Sequence, residues 1–338
     1  MKPVFEVGAG RPVGPHETPL VRRGAFFAGW AASAATVAGG IRADAAETAL
    51  HALRYGTSPD AGTSSVMWQA PNDIFAQNGL KLDGQRFNSG STIAAAVIGG
   101  ALDIGESSVV GLISAHVKGV PFVLESVQAT YAASTPNNAF VVAKNSPIAA
   151  PAQLNGTTLS VPALGDLFAL GISAWVDQNG GNSKTLSFVE IPIQAAATAI
   201  AAGRVTGAVL SSPLLEDAVD RGLVRILGHP YNAVAPRFGV TFYFCTRDFA
   251  AANVDVLARF RTAMEQQSRW AATHKSAVYA LVARVSGAGP EAVQRLPWDV
   301  EYGVDLRLIQ PVIDLAARYN VIPHSFPASD MIDPKALP

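Results

Sequence analysis

Residues 89–108, Ser-Gly-Ser-Thr-Ile-Ala-Ala-Ala-Val-Ile-Gly-Gly-Ala-Leu-Asp-Ile-Gly-Glu-Ser-Ser, constrain this chain more than any other stretch. They read as a polar turn, a short helix, a glycine stop, a strand and a second polar turn. Ser91 or Thr92 suits the helix cap, and Gly99-Gly100 suits a left-handed end. Leu102 to Gly105 then predicts a strand, with Glu106, Ser107 and Ser108 just past its carboxyl end. The pattern recurs at 194–213, where an Ala-rich helix, Gly203, a strand over 205–210 and Ser211-Ser212-Pro213 follow one another. The strands beginning at Leu53 and Thr158 lie 105 residues apart, and Gly100 and Gly203 lie 103 apart. Near-constant offsets of this kind predict a duplicated α/β lobe with a cleft between the copies.

Reading outward from that unit, Leu53 to Gly56 predicts the first strand, and the loop 57–65 is dense in Ser, Thr and Gly. A helix is expected over 66–77, with Trp68 one turn in, either stacking on a ligand or sitting in the core. Further strands are expected at 122–126, 140–144, 158–162, 187–191, 224–227 and 240–247. Helices are expected at 109–117, 167–178 and 214–221 and over most of the chain after 253. The segment 131–138 reads as a loop. The strands at 140–144 and 240–247 both end in a basic residue and a turn, and are expected to cross between the lobes.

Ahead of the folded region, Arg22-Arg23 precedes an apolar Ala/Gly-rich run that continues to about Gly40. Ala43-Asp44-Ala45 then offers small residues for a signal peptidase. The Arg pair, the long polar lead-in and the mild hydrophobicity favour twin-arginine export, cleavage after Ala45 and a periplasmic location. The chain carries 25 basic and 26 acidic residues, a balance that leaves no electrostatic footprint for nucleic acid. Cys245, the only cysteine, allows no internal disulfide and reads as a buried structural thiol.

No nucleophile elbow, phosphate-binding loop or dinucleotide fingerprint is present, and the six histidines lie far from metal-ligand spacing. Neither an enzyme nor a cofactor or metal protein is expected. What recurs instead is hydroxyls and glycines where strands hand over to helices: Ser64-Ser65, Ser89-Gly90-Ser91-Thr92 and Gly165-Asp166. Free backbone N–H groups make such turns hosts for polar or anionic ligand atoms, and equally they can be plain helix caps.

These residues resemble periplasmic solute-binding proteins of the nitrate/sulfonate/taurine type, a group that includes thiamine-pyrimidine-precursor binders. The resemblance covers the chain after the export signal. It rests on Phe75-Ala76-Gln77-Asn78-Gly79-Leu80, on the segment 89–105, on Gly119-Val120-Pro121, and on 163–166 with Trp175. Ala201-Ala202-Gly203-Arg204-Val205, residues 310–314 and Phe326-Pro327-Ala328 complete it. The resemblance implies a type II periplasmic-binding fold, two α/β lobes joined by two crossover strands, with lobe one formed by 46–143 plus 244–338 and lobe two by 144–243. It also implies a monomer that closes on a small organic solute and delivers it to an ABC permease with its ATPase.

Family contacts carried over by position are Thr57, Ser58, Ser64, Ser65, Ser89, Gly90, Ser91, Glu106, Ser107, Ser108, Gly165, Asp166, Ser211, Ser212 and Pro213; Thr92 joins the candidate site from its polar turn, and Trp68 as a candidate stacking wall. Arg237 is expected to offset the acidic groups, while Tyr131, Phe168 and Phe238 are either stacking walls or core. Glu106 and Asp166 depart from a donor-only anion site, which favours a solute bearing both donors and acceptors. Two other readings of the same fold are a sensory receptor lobe and a thiamine-pyrimidine-synthase-like enzyme. The single cysteine and the export signal speak against the enzyme.

Overall fold

The structure, a computed structural model, describes residues 50–57, 69–87, 90–296, 303–332 and 335. The chain divides into two units, 1–46 and 47–338, and all described residues belong to the second. The expected export signal lies outside the described residues.

Two five-stranded sheets of matching design organise this unit. The first contains β1 (His51–Thr57), β2 (Leu80–Arg86), β3 (Ile104–Ser108), β4 (Phe122–Ala132) and β10 (Arg237–Thr246), in the order β2-β1-β3-β10-β4. The second contains β5 (Asn138–Ala143), β6 (Thr158–Val161), β7 (Ser187–Glu190), β8 (Gly207–Ser211) and β9 (Val224–Gly228), in the order β7-β6-β8-β5-β9. In each sheet three strands run parallel, and the fourth is antiparallel to both of its neighbours. The duplication read from the sequence is thus a duplication of topology. Helix α2 (Gly90–Ile98) precedes β3 as α5 (Ile193–Ala201) precedes β8, and Gly100 and Gly203 follow them with φ of +71° each. Glycine adopts that left-handed backbone without the Cβ clash that other residues incur.

Four readings move. Strand β3 starts two residues late and runs through Glu106, Ser107 and Ser108, because β10 pairs alongside them (Glu106 with Tyr243, Ser107 with Phe242, Ser108 with Thr241). Asp103 is held outside the strand by Arg54, whose backbone N–H donates to its carboxylate at 2.8 Å. The helix expected over 66–77 is confined, among the described residues, to α1 (Ile74–Gln77). Pro71 disfavours helix at the preceding residue, and Asn72 accepts the Ile74 N–H at 3.2 Å. Strand β4 continues to Ala132 through the stretch read as a loop, because β10 pairs along its whole length.

The fourth change concerns the lobe boundaries. Strand β5 belongs wholly to the second sheet and β10 wholly to the first, so neither is a crossover. The chain changes sheets at 133–137 and 229–236, several residues before the expected 143/144 and 243/244 divisions. Hydrogen bonding decides this: β5 is paired on both edges by β8 and β9.

Helices α2, α3 (Val109–Val117) and α11 (Gln310–Arg318) cover one face of the first sheet, and α4 (Leu167–Gln178) covers a face of the second. Their apolar residues form one core running through both lobes. Phe140, Phe242 and Phe244 are fully buried there, each contributing roughly 2–3 kcal/mol of burial free energy. The other face of the first sheet packs on α1, α7 (Arg247–Ala252) and α8 (Val254–Thr273), and that of the second on α5 and α6 (Leu214–Asp220). Helices α9 (Lys275–Ser286) and α10 (Pro290–Gln294) extend beyond α8, and Arg295 pairs with Asp220 of α6 in the second lobe. Cys245 is buried, with its Sγ 3.4 Å from Glu125 Oε1.

Candidate functional site

The parallel strands β1 and β3 of the first sheet, and β6 and β8 of the second, end at rims that carry the polar residues singled out above. In open α/β sheets this carboxyl end is where small molecules bind. Ser58, Ser64, Ser65, Trp68 and Ser89 lie outside the described residues.

At the first rim, Glu106 is 0% exposed, and both of its oxygens are engaged. Tyr55 OH donates to Oε2 at 2.8 Å, Thr57 Oγ1 to Oε1 at 2.6 Å and Gln128 Nε2 to Oε2 at 3.1 Å. Thr241 Oγ1 in turn donates to Gln128 Oε1. Burial, followed by the Glu106 charge, holds the Tyr55 phenol well above its ordinary range, so it stays a donor. Glu106 therefore sits inside a strand as a buried acceptor, and not in an open turn as expected.

Ser107 supports the first turn of α2: a Cβ on Gly90 would press into its side chain and lie 3.2 Å from its Cα. Ser91 and Thr92 are exposed in that same turn. Ser108 occupies the cap position of α3 without making a capping bond. Its hydroxyl is buried with no partner among the described residues.

At the second rim, Gly165 adopts φ +72° and Asp166 caps α4, accepting the Ala169 N–H at 3.0 Å. The capping role weighed for Asp166 is thus realised. Ser211 ends β8 opposite Asn138. Ser212 donates from its hydroxyl to Glu216 Oε1 at 2.6 Å and from its N–H to Asn137 O at 2.9 Å, and it precedes Pro213 through a cis peptide bond.

Arg237 opens β10 on an exposed position, and its charge falls on Asp305. The Asp305 carboxyl is held below its ordinary range first by its bonds to Arg307, against burial, with Arg237 adding to the effect.

The end of β4 is tied to the second crossover where Tyr131 OH donates to Asn232 Oδ1 at 2.6 Å. Tyr131 and Phe238 are fully buried, with ring centroids 5.5 Å apart, and Tyr231 packs edge-on against both. Phe168 lies 5.9 Å from Tyr231. Of the two roles open to Tyr131 and Phe238, the structure places both in the core beside the crossovers.

The residues that sequence reasoning missed are Tyr55, Gln128, Thr241, Asn137, Asn138 and Glu216. Gln128 and Asn137 fall in stretches left without a role, and only strand pairing brings them to the rim. Among the described residues, no cluster of three or more His, Cys, Asp or Glu could hold a metal ion. No described helix is long and apolar enough to cross a membrane. A cavity of about 570 Å³ between α9 and α10 includes none of the strand-end residues.

The NMT1/THI5-like family model matches residues 70–277. No curated protein matches the chain. Among solved structures, the periplasmic aliphatic sulphonate binding protein SsuA from Escherichia coli superposes with a TM-score of 0.69 at 20% identity, covering 84% of this chain and 92% of that one. The alkanesulfonate-binding protein SsuA from Xanthomonas axonopodis pv. citri, bound to MOPS, gives 0.72 at 18% identity over 83% and 98%. The periplasmic nitrate-binding protein NrtA from Synechocystis PCC 6803 gives 0.68 at 12% identity over 85% and 86%. At these identities the likeness is one of fold, the two-lobed periplasmic-binding architecture. With more than half of its length matched by the family model, the chain belongs to the NMT1/THI5-like family.

Proposed function

We propose that this protein is the extracytoplasmic solute-binding component of an ABC importer, exported by its amino-terminal signal and processed after Ala45. The observation that carries this reading is the pairing of two duplicated rims beside one hinge. Each rim ends in hydroxyls and helix starts, at Thr57, Gly90–Thr92 and Ser108 on one side and at Asp166, Ser211 and Ser212 on the other. A small organic solute between them gains contacts to both lobes only when the lobes close. Such differential contact shifts the population toward the closed form, which is then presented to a permease. In this reading Glu106 supports the first rim from behind, and the hydroxyls and backbone N–H groups meet the solute.

A thermal-shift screen of sulfonates, nitrate, pyrimidines and aromatic acids on protein recovered from the periplasm tests the reading. A binder raises the melting temperature in a concentration-dependent way. No response across these classes overturns it. Mass analysis of the same material is expected to find a chain starting at Ala46, and a chain retaining Met1 refutes the processing.

A further inference from the structure

Residues 137 and 138 form a directional hydrogen-bond chain at the second rim. Asn137 Nδ2 donates to the backbone oxygen of Thr130 at 3.2 Å, and Asn138 Nδ2 donates to Asn137 Oδ1 at 3.1 Å. A backbone carbonyl can only accept, so Asn137 must present its amide nitrogen to Thr130 and its oxygen to Asn138. That fixes the second amide as well. The atom of Asn138 left over is Oδ1, an acceptor.

Asn138 is 2% exposed, and its Oδ1 is buried without a hydrogen-bond partner among the described residues. Buried acceptors are rarely left in that state, because they have lost water without replacing it. The position is not incidental. Asn138 pairs with Ser211 at the carboxyl end of β8, and the two side chains lie on one face of the sheet as cross-strand neighbours. The same face carries Phe140 and Val209, which pack beneath α4. The Ser212 N–H is anchored to Asn137 O at 2.9 Å, and the Asn138 backbone oxygen lies 2.9 Å from His229 Nδ1. The acceptor is therefore held rigidly where the second rim meets the first crossover.

We infer that Asn138 Oδ1 receives a hydrogen-bond donor of the solute, an amino, ammonium or hydroxyl group, and that the site selects donor-bearing organic molecules over bare oxyanions. The inference rests on the solute-binding reading above and narrows its substrate class. A donor seated there satisfies the stranded acceptor, whereas a molecule offering only acceptors leaves it unpaired, and such a mismatch discriminates strongly.

The test uses matched pairs that differ in one donor, taurine with ethanesulfonate and para-aminobenzoate with benzoate, titrated calorimetrically into periplasmic protein. In at least one pair the donor-bearing member is expected to bind about tenfold more tightly, the range of one well-placed hydrogen bond. Asn138→Leu is expected to erase that difference by weakening only the donor-bearing member. Asn138→Asp, which keeps an accepting oxygen, is expected to preserve it and serves if the leucine variant fails to fold. Equal binding within the pairs, or an equal loss of both members in Asn138→Leu, overturns the inference and leaves the solute-binding reading standing. If no member of either pair binds while the thermal-shift screen finds a donor-free ligand, the inference also fails alone. If the screen finds nothing, both fail together.

Discussion

Thr57 Oγ1 donates a hydrogen bond of 2.6 Å to Glu106 Oε1, joining the end of β1 to the middle of β3 beneath the first rim. Tyr55 and Gln128 donate to the other oxygen of the same carboxylate. One buried acceptor on β3 thus fixes three donors from two other strands, Tyr55 and Thr57 of β1 and Gln128 of β4.

Removing that acceptor is expected to be costly. Glu106→Leu leaves the Tyr55 and Thr57 hydroxyls and the Gln128 amide without it, and each stranded donor costs about 1–3 kcal/mol. Urea denaturation of the ligand-free protein is expected to report a loss of about 3 kcal/mol or more. Glu106→Gln, which retains one accepting oxygen, is expected to lose less. A change below about 0.5 kcal/mol in Glu106→Leu, typical of a surface site, refutes the supporting role.

Gly105 offers a steric test of the same strand. A Cβ there would press into the Ile93 side chain and lie 3.0 Å from the Phe244 ring, between two fully buried residues. Gly105→Ala is expected to destabilise by about 1–3 kcal/mol as an overpacked core. At Gly111 the nearest atom to an added Cβ is the Ser107 hydroxyl at 3.4 Å, an ordinary contact. Gly111→Ala, inside α3, is expected to be neutral or stabilising by about 1 kcal/mol, because alanine is the better helix former. Equilibrium unfolding of the two variants checks the ordering, and the reverse order contradicts the packing described.

Alkaline titration probes the Tyr131–Asn232 contact. Burial pushes the Tyr131 phenol up to about 12. An unfolded tyrosine ionises near pH 10, so above that the unfolded state has released a proton that the folded state retains. The stability from neutral Tyr131 is complete below about pH 10 and is lost as pH rises toward about 12. Tyr131→Phe is expected to flatten that decline. At neutral pH it is expected to cost about 1 kcal/mol through the lost bond to Asn232. Denaturation curves across the alkaline range check both, and an unchanged slope contradicts the first.

Glu216 supplies the opposite limit. Burial raises its carboxyl above the usual range, against the Ser212 hydroxyl that donates to it. The folded state therefore holds a proton more tightly than the unfolded one. The resulting stability is present at low pH and is lost as pH rises through the folded value. Glu216→Gln keeps an oxygen for Ser212 without the buried charge, and it is expected to melt higher than the parent near neutral pH. The gap is expected to close in acid, where the parent is protonated too. A variant that melts lower at neutral pH overturns this account.

Much of the scaffold was legible in the sequence because it is written in local rules. The helices at 109–117 and 167–178 fall at their expected bounds, where apolar periodicity and the flanking breakers agree. Gly100 and Gly203 end their helices as read, since a left-handed stop is a property of one residue. Asp166 caps α4 for the same kind of reason, its carboxylate reaching an N–H three residues on.

Apart from the shortened helix before Ile74, which Pro71 and Asn72 limit locally, the readings that moved depend on partners distant in sequence. Glu106 looked like a turn residue because its three donors come from residues 55, 57 and 128. The reach of β4 through Tyr131 is set by β10, more than a hundred residues later.

By itself, the sequence determined the α/β class, the duplicated unit and the hydroxyl-rich strand ends, because periodicity, capping and glycine stops act within a few residues. Only the tertiary structure decided which strands share a sheet, where the chain crosses between lobes, that Glu106 is a buried acceptor within β3, and that Asn138 Oδ1 is buried with no partner among the described residues. The physical reason is that hydrogen-bond satisfaction of a buried polar group is settled by whichever strands fold beside it, and no local pattern records that pairing.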